Sequence, residues 1–139
     1  MQTEEPLRFE PWMRGILLLA GIYNLAWGLF IYNFPDAFYQ WVTETENPAV
    51  AAIGWQGMGV LFFGVLYIAT ALYPGKLWYL IIAGILSKLI GGVWFYFVVM
   101  QQEVTHKFLF HLIMNDLVWI IPFTVILIRA WKVYKVEVS

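Results

Sequence analysis

The 139-residue sequence contains no cysteine and few charged residues. The absence of cysteine excludes disulfide bonds, thiol redox chemistry, iron–sulfur clusters and cysteine-ligated zinc sites. Only 12% of the residues are charged and the formal net charge is -1, so the chain has no basic surface with which to bind nucleic acid. The sequence also lacks an HExxH motif, a phosphate-binding loop and a nucleophile elbow, so no catalytic or metal-binding residues are predicted and no reaction is identified.

Most of the chain is apolar. Hydrophobic residues make up 62% of the sequence, compared with about half in a typical soluble domain. They are concentrated in four runs, at about residues 15–34, 49–72, 77–100 and 108–131. A helix of about 20 residues, at ~1.5 Å per residue, crosses a hydrocarbon layer of ~30 Å, and lipid offers no partners for the backbone groups of other conformations. The sequence therefore predicts an all-α integral membrane four-helix bundle, folded as a single transmembrane domain.

The distribution of basic residues predicts how this bundle is oriented. With four spans, both termini and the turn at 73–77 lie on one side of the membrane. That side carries Arg8, Arg14, Lys76, Arg129, Lys132 and Lys135. The other side carries Lys107 with the acidic residues Asp36, Glu44, Glu46 and Glu103. Because Lys and Arg concentrate in cytoplasmic loops, we expect a multi-pass protein of the inner (plasma) membrane with both termini in the cytoplasm.

The segment after the first run is predicted to form a short helix of its own. In residues 35–48, helical spacing puts Phe38, Trp41 and Val42 on one face. An amphipathic helix of this kind lies in the plane of the membrane surface with its apolar face turned inward. The sequence therefore predicts an interfacial helix on the outer surface, directly after the first span.

Five polar side chains lie within the apolar runs, where lipid-facing positions would exclude them. They are Asn24, Gln56, Lys88, Asn115 and Asp116. Counting residues at ~1.5 Å per residue places all five at one level, in the outer half of the membrane. Charges far from water are costly, so Lys88 and Asp116 are expected to pair. This polar core is either a structural clasp between helices or a site that contacts a ligand.

Aromatic residues flank the polar positions, namely Tyr23, Trp27, Trp55, Trp94 and Trp119. Together with the polar side chains they would suit a small aromatic-lined pocket that opens toward the outer side. The alternative is that these rings only fill space between the helices, as aromatic residues at helical spacing usually do.

Four short motifs resemble those of the DoxX-like family of small four-helix bacterial membrane proteins. They are Gly21-Ile-Tyr-Asn24-Leu-Ala-Trp27-Gly28, Trp55-Gln56-Gly57, Gly84-Ile-Leu-Ser-Lys88 and Asn115-Asp116-Leu-Val-Trp119-Ile-Ile-Pro122-Phe123. The resemblance covers about residues 15–130. It implies a four-helix bundle and places the polar residues among the positions characteristic of the family. It does not imply one activity, although some relatives are the small membrane subunit of a thiosulfate:quinone oxidoreductase.

Three functional hypotheses follow from the sequence. The first is a non-enzymatic membrane subunit, packed around its Lys–Asp core within a larger membrane complex, such as a respiratory or other electron-transfer complex, or within a homo-oligomer. The second is a protein that binds quinone or another small amphipathic ligand in the outer half of the membrane, or a quinone-linked oxidoreductase subunit. The third is a proton-coupled transporter. Beyond the lipid bilayer and other membrane subunits no partner is predicted, and the only cofactors considered are quinone and lipid.

Overall fold

The computed structural model describes residues 9–100 and 104–138, with side chains as far as Tyr134. Arg8 and Glu103, which contributed to the predicted orientation, lie outside the described residues, as does the side chain of Lys135. Over the described residues all regular secondary structure is helical: α1 (Pro11–Asn33), α2 (Pro35–Thr43), α3 (Ala52–Leu72), α4 (Pro74–Leu77), α5 (Leu80–Trp94), α6 (His106–Leu112) and α7 (Val118–Val138). Two π-helical turns complete the set, Phe95–Val99 after α5 and Ile113–Leu117 between α6 and α7.

Four of the resulting helices are long and apolar enough to cross a membrane, as the sequence predicts. We number them span one (Pro11–Asn33), span two (Ala52–Leu72), span three (Leu80–Val99) and span four (His106–Tyr134). Prolines begin several helices, since their missing N–H is not needed in a first turn. Thr105 begins span four, where its side-chain oxygen accepts a hydrogen bond from the N–H of Phe108 at 3.0 Å.

The short helix predicted after the first span is α2. Its residues Phe38 and Val42 are fully buried against the spans, whereas Trp41 is half-buried. Two hydrogen bonds hold its ends: Asp36 Oδ1 accepts from the N–H of Ala49 at 2.7 Å, and Thr105 Oγ1 donates to the carbonyl of Val42 at 2.6 Å. The helix therefore closes one end of the bundle, which we call the α2 end.

The opposite end, called the terminal end, brings together the start of span one, the α4 turn and the last turns of span four. Arg14 Nε donates to the carbonyl of Ala71 at 2.8 Å, and Arg129 forms an ion pair with Glu10 at 2.9 Å. The ring of Tyr134 stacks on that of Trp78, with 6.4 Å between centroids. These contacts hold the start of span one, the α4 turn and the last turns of span four together at the terminal end.

Spans one and two form the tightest helix pair, because glycines allow their backbones to meet. A side-chain carbon added to Gly28 would lie 2.8 Å from the backbone nitrogen of Leu61, and one added to Gly64 would lie 3.0 Å from the carbonyl oxygen of Gly21. Such close approach is typical of membrane helix interfaces, where small residues replace the hydrophobic driving force with van der Waals contact.

Two apolar cores stabilise the bundle at different levels. The terminal core consists of Met13, Leu17, Ala20, Tyr67, Ala71, Ile81, Trp119, Phe123 and Ile126. The α2 core consists of Ile31, Phe38, Val42, Ile53, Phe95, Val99, Met100 and Phe108. The intramembrane polar residues belong to neither core. The fold thus places a polar layer between two apolar ones.

The close packing of spans one and two can be tested with a matched pair of glycine variants. Gly28→Val forces a branched side chain against the Leu61 backbone, so we expect a loss of about 1–3 kcal/mol in stability, as for other overpacked interiors. Gly54→Val is the control, because a carbon added there meets no other atom within 4 Å. The measurement is the midpoint of thermal unfolding in detergent. Equal midpoints for the two variants would contradict the interface.

Candidate functional site

A cavity of about 380 Å³ lies between the two apolar cores. All four spans contribute a polar side chain to its lining: Asn24 from span one, Gln56 from span two, Lys88 from span three, and Asn115 with Asp116 from span four. The structure therefore brings the five predicted polar residues together around one space. Tyr67 of the terminal core and Phe95 and Phe108 of the α2 core form its apolar limits.

The Lys88 ammonium is the central cation of this cavity. Its side chain is 4% exposed, and Nζ donates to the backbone carbonyl of Asn115 at 2.8 Å. Nζ also lies 5.5 Å from the ring centroid of Tyr67 and 5.9 Å from that of Phe123. Aromatic faces at this distance stabilise a cation, more strongly where water is excluded. Span three is thus joined to span four through a backbone oxygen rather than through a side chain.

The predicted contact between Lys88 and Asp116 is not formed as a direct ion pair: over the described residues, no Lys88 nitrogen lies within 4.0 Å of an Asp116 oxygen. The carboxylate instead accepts a hydrogen bond from Asn115 Nδ2 at 3.2 Å. Its other oxygen faces span three beside Gly92, where an added carbon would lie 3.5 Å away. Lys88 and Asp116 are therefore linked only indirectly: Lys88 binds the backbone carbonyl of Asn115, and Asp116 accepts from the side chain of Asn115.

A π-helical turn explains why the ammonium binds to the backbone. Span four changes from α to π geometry at Ile113–Leu117, which contains Asn115 and Asp116. Two carbonyls of this turn accept side-chain donors: Met114 O from Trp119 Nε1 at 3.0 Å, and Asn115 O from Lys88 Nζ. A π turn displaces carbonyls from the regular ladder, and such turns are frequent at functional sites. Sequence patterns carried no signal for this turn.

Four buried polar atoms of residues that line the cavity have no hydrogen-bond partner. They are Asn24 Oδ1, Gln56 Oε1, His111 Nδ1 and Asn115 Oδ1. Over the described residues only one further buried side-chain atom shares this condition, Arg129 Nε at the terminal end. A buried polar group with no partner at all costs about 1–3 kcal/mol, so these atoms need a partner from outside the chain, either water or a ligand. Their concentration around one cavity gives a molecule that enters it several atoms with which to form hydrogen bonds.

His111 is a residue of the cavity to which the sequence analysis assigned no role. It is 4% exposed and lies among three rings, with centroids 5.1 Å away at Phe38, 5.3 Å at Trp27 and 5.7 Å at Phe95. The available signal was its spacing, since it precedes Asn115 by four residues and so shares its helix face. Tyr67 and Ser87 were also missed; their hydroxyl oxygens lie 3.5 Å apart in the lining.

The five predicted pocket aromatics divide into two groups. Trp55 and Trp94 line the cavity, whereas Tyr23, Trp27 and Trp119 are not among its lining residues. Trp119 belongs to the terminal core, because the hydrogen bond of its indole N–H to Met114 directs the ring there. Tyr23 packs on Trp119 with 5.7 Å between centroids, and Trp27 packs behind His111. These three rings support the site from outside.

The lining can form hydrogen bonds of both kinds. Lys88 has ammonium protons beyond the one bound to Asn115, and the unpartnered amide oxygens accept. Across the described ranges, no three His, Asp or Glu side chains lie together in a way that would hold a metal ion. The lining therefore presents both hydrogen-bond donors and hydrogen-bond acceptors to the cavity.

The fold and cavity define the class of the protein: an all-helical, multi-pass membrane protein with a polar cavity inside its transmembrane bundle. Comparisons with protein-family models, with curated proteins and with solved structures gave no match for this chain. The resemblance to the DoxX-like family stays a prediction from the motifs of the sequence.

The role of the Lys88 ammonium can be tested by removing it alone and together with the nearby carboxylate. Lys88→Met leaves Asp116 charged and buried with only the Asn115 amide to stabilise it, so we expect a loss of about 3–5 kcal/mol in stability. Adding Asp116→Asn should restore much of this loss, because no uncompensated charge remains. A double-mutant cycle of thermal unfolding in detergent measures the coupling. Strictly additive effects would show that the two charges do not act on each other.

Proposed function

We propose that this chain binds a small amphipathic molecule of the quinone type within the membrane, with the polar head of the ligand in the cavity. The observation that supports this most strongly is the group of four unpartnered polar atoms beside the Lys88 ammonium. A purely structural clasp would satisfy its own polar groups, because each group left without a partner destabilises the fold. A cavity lined by such groups offers a ligand several atoms with which to form hydrogen bonds.

Quinones and quinols fit the donors and acceptors of this lining. A quinone carbonyl accepts hydrogen bonds, and the Lys88 ammonium or the Asn24 amide is able to donate one. A quinol hydroxyl donates, and Asn115 Oδ1 or Gln56 Oε1 is able to accept. Because both kinds of partner surround the same space, either redox form of the head group finds a complementary atom.

The size and remaining walls of the cavity suit the same ligand. A volume of about 380 Å³ lies at the lower end of the range for small-molecule sites, enough for one substituted ring. Phe63, Trp94 and Phe95 provide aromatic surfaces for stacking against that ring. A larger folded head group would not fit between the two apolar cores.

Binding can be tested with the two histidines of the chain as a matched pair. His111→Phe keeps a ring among its aromatic neighbours but removes the unpartnered Nδ1, which in its N–H form donates to a quinone carbonyl. We expect the Kd for a decyl-substituted benzoquinone to rise about fivefold, which corresponds to one hydrogen bond of about 1 kcal/mol. The measurement is quenching of tryptophan fluorescence by the quinone in lipid nanodiscs, since Trp55 and Trp94 line the cavity.

His106→Phe is the control, because His106 is exposed and lies outside the cavity. It should bind as the wild type does. Thermal unfolding separates the two roles of His111: loss of a ligand contact leaves the stability of His111→Phe unchanged or higher, since a buried polar atom without a partner is removed. Equal affinity for the wild type and both variants, or no saturable quenching in the wild type, would reject the proposed function.

The proposed orientation places the terminal end in the cytoplasm and α2 at the outer membrane interface of the inner membrane. The described basic residues support it: Arg14, Lys76, Arg129 and Lys132 belong to the terminal end, and Lys107 to the α2 end. At the α2 end Lys107 is partly neutralised by Glu44, with 3.7 Å between the charged atoms. In this orientation the cavity occupies the half of the bundle nearer the outer surface.

Orientation can be measured with single cysteines, because the natural sequence has none to interfere. Asn47→Cys at the α2 end and Gly75→Cys in the α4 turn are both at exposed positions and leave the charge distribution unchanged. In intact bacterial cells, a membrane-impermeant maleimide should label position 47 and leave position 75 unlabelled until the cells are opened. The opposite pattern would place both termini outside.

The assembly and transport hypotheses remain predictions beside this proposal. A binding subunit within a larger electron-transfer complex would combine the first two hypotheses, and the partner would then supply or remove the electrons of the quinone. Proton-coupled transport draws on the same two buried charges, Lys88 and Asp116. Proteins that co-purify from native membranes distinguish a subunit from a protein that acts alone.

A further inference from the structure

Spans two and three are in contact near the terminal end. A carbon added to Gly84 in span three would lie 2.7 Å from a ring carbon of Tyr67 in span two. The Tyr67 hydroxyl also lies 3.5 Å from the carbonyl of Gly84. The ring of Tyr67 therefore fills the space between the two helices at this level and closes the cavity on that side.

The same two spans are apart at the level of the cavity. Gly59 in span two and Gly91 in span three both line the cavity, and a carbon added to either would meet no other atom within 4 Å. Trp55, one turn before Gly59 in span two and nearer the α2 end, lines the cavity and is nevertheless 70% exposed. A side chain that is both lining and exposed lies at an opening. Spans two and three thus leave a gap at the level of the cavity, between their contact at Tyr67 and the α2 core, where they meet again.

The surface around this opening is apolar. Phe62, about one turn from Gly59 in span two, is exposed. Ile90 and Val93, on either side of Gly91 in the sequence of span three, are also exposed. In a transmembrane bundle such exposed apolar side chains contact lipid chains, so the opening faces hydrocarbon rather than water. The cavity inside this opening is lined by polar side chains. Asn24, His111 and Asn115 are each at least nine-tenths buried, and each has an atom without a hydrogen-bond partner in the protein.

The geometry points to a lateral route from the bilayer into the cavity, between Gly59 and Gly91. This inference rests on the proposed function and deepens it by naming the class of ligand. The ligand is dissolved in the lipid, carries a hydrogen-bonding ring head and has an apolar tail. Its head passes between the two glycines to reach the buried polar atoms, and its tail stays in the gap among lipid chains. A bulky group at either glycine would fill this route.

A tail favours binding for a physical reason. Because the gap faces lipid, a tail that partitions into the bilayer concentrates the ligand beside the opening. A water-soluble ring without a tail lacks this partition and makes only the contacts inside the cavity. The site should therefore prefer a tailed quinone to the same ring without its tail.

The route can be blocked after the protein has folded, which avoids confusion with misfolding. Gly59→Cys and Gly91→Cys introduce small side chains for which there is space, and each is the only cysteine in its chain. Reaction of the purified variant in nanodiscs with a bulky aromatic maleimide then fills the gap. Gly15→Cys and Gly54→Cys are the controls, since they have equal space but do not line the cavity.

The readout is stopped-flow quenching of tryptophan fluorescence by the decyl-substituted benzoquinone, with the same ring lacking the decyl chain as a second probe. After labelling at position 59 or 91 we expect quenching by the tailed probe to slow at least about tenfold, because the label fills the gap through which the ligand enters. Labelling at position 15 or 54 should change it less than about twofold. Each labelled variant is compared with its own unlabelled form, so that the effect of the cysteine side chain itself is excluded.

The possible outcomes separate this inference from the proposed function. If the wild type binds neither probe, the proposed function fails, and with it the basis of the route. If the wild type binds but labelling at 59 and 91 leaves the rate unchanged, the ligand reaches the cavity elsewhere and the inference is overturned. If labelling slows only the tailless probe, the tailed ligand does not pass through the gap, which also overturns the inference. Failure of a cysteine to react contradicts the opening at that position, because its thiol is then covered.

Discussion

The bond between the Lys88 ammonium and the Asn115 carbonyl is the interaction on which the centre of this bundle depends. It is the hydrogen bond that joins span three to span four inside the polar layer, at 2.8 Å. A charge at this depth requires a polar partner, because neither lipid nor the aromatic rings of Tyr67 and Phe123 replace the hydrogen bonds of water. The π turn of span four supplies that partner from the backbone.

This arrangement has a consequence for the cavity. Because the backbone satisfies one ammonium proton and Asn115 satisfies the carboxylate, Lys88 and Asp116 do not close on each other. Space therefore remains between spans two, three and four, and the amides and the histidine around it are left with unpartnered atoms. Spans one and two pack closely through their glycines. Spans two and three are separated at the level of the cavity, and this separation leaves the space open. Close packing on one side and separation on the other together leave the cavity.

The number of spans, their approximate limits and the five polar positions were accessible from the sequence. Long apolar runs leave few alternatives in lipid, and counting residues along each run places Asn24, Gln56, Lys88, Asn115 and Asp116 at one level. The direct Lys88–Asp116 contact was not correctly predicted, since the π turn has no recognisable pattern. His111 was passed over because one histidine on an apolar helix carries little information until its neighbours are known. Trp27 and Trp119 were assigned to the pocket, although helix rotation turns them behind it.

The sequence by itself determined that the chain is an all-helical membrane bundle with a shared polar layer, because the cost of exposing backbone and charge to hydrocarbon allows little else. Only the tertiary structure decided that the layer encloses a cavity, which atoms of its lining lack partners, and where the helices separate. Those features depend on helix rotation, local π geometry and gaps of a few ångströms between neighbours. Such distances result from the packing of residues far apart in the chain, and local patterns do not encode them.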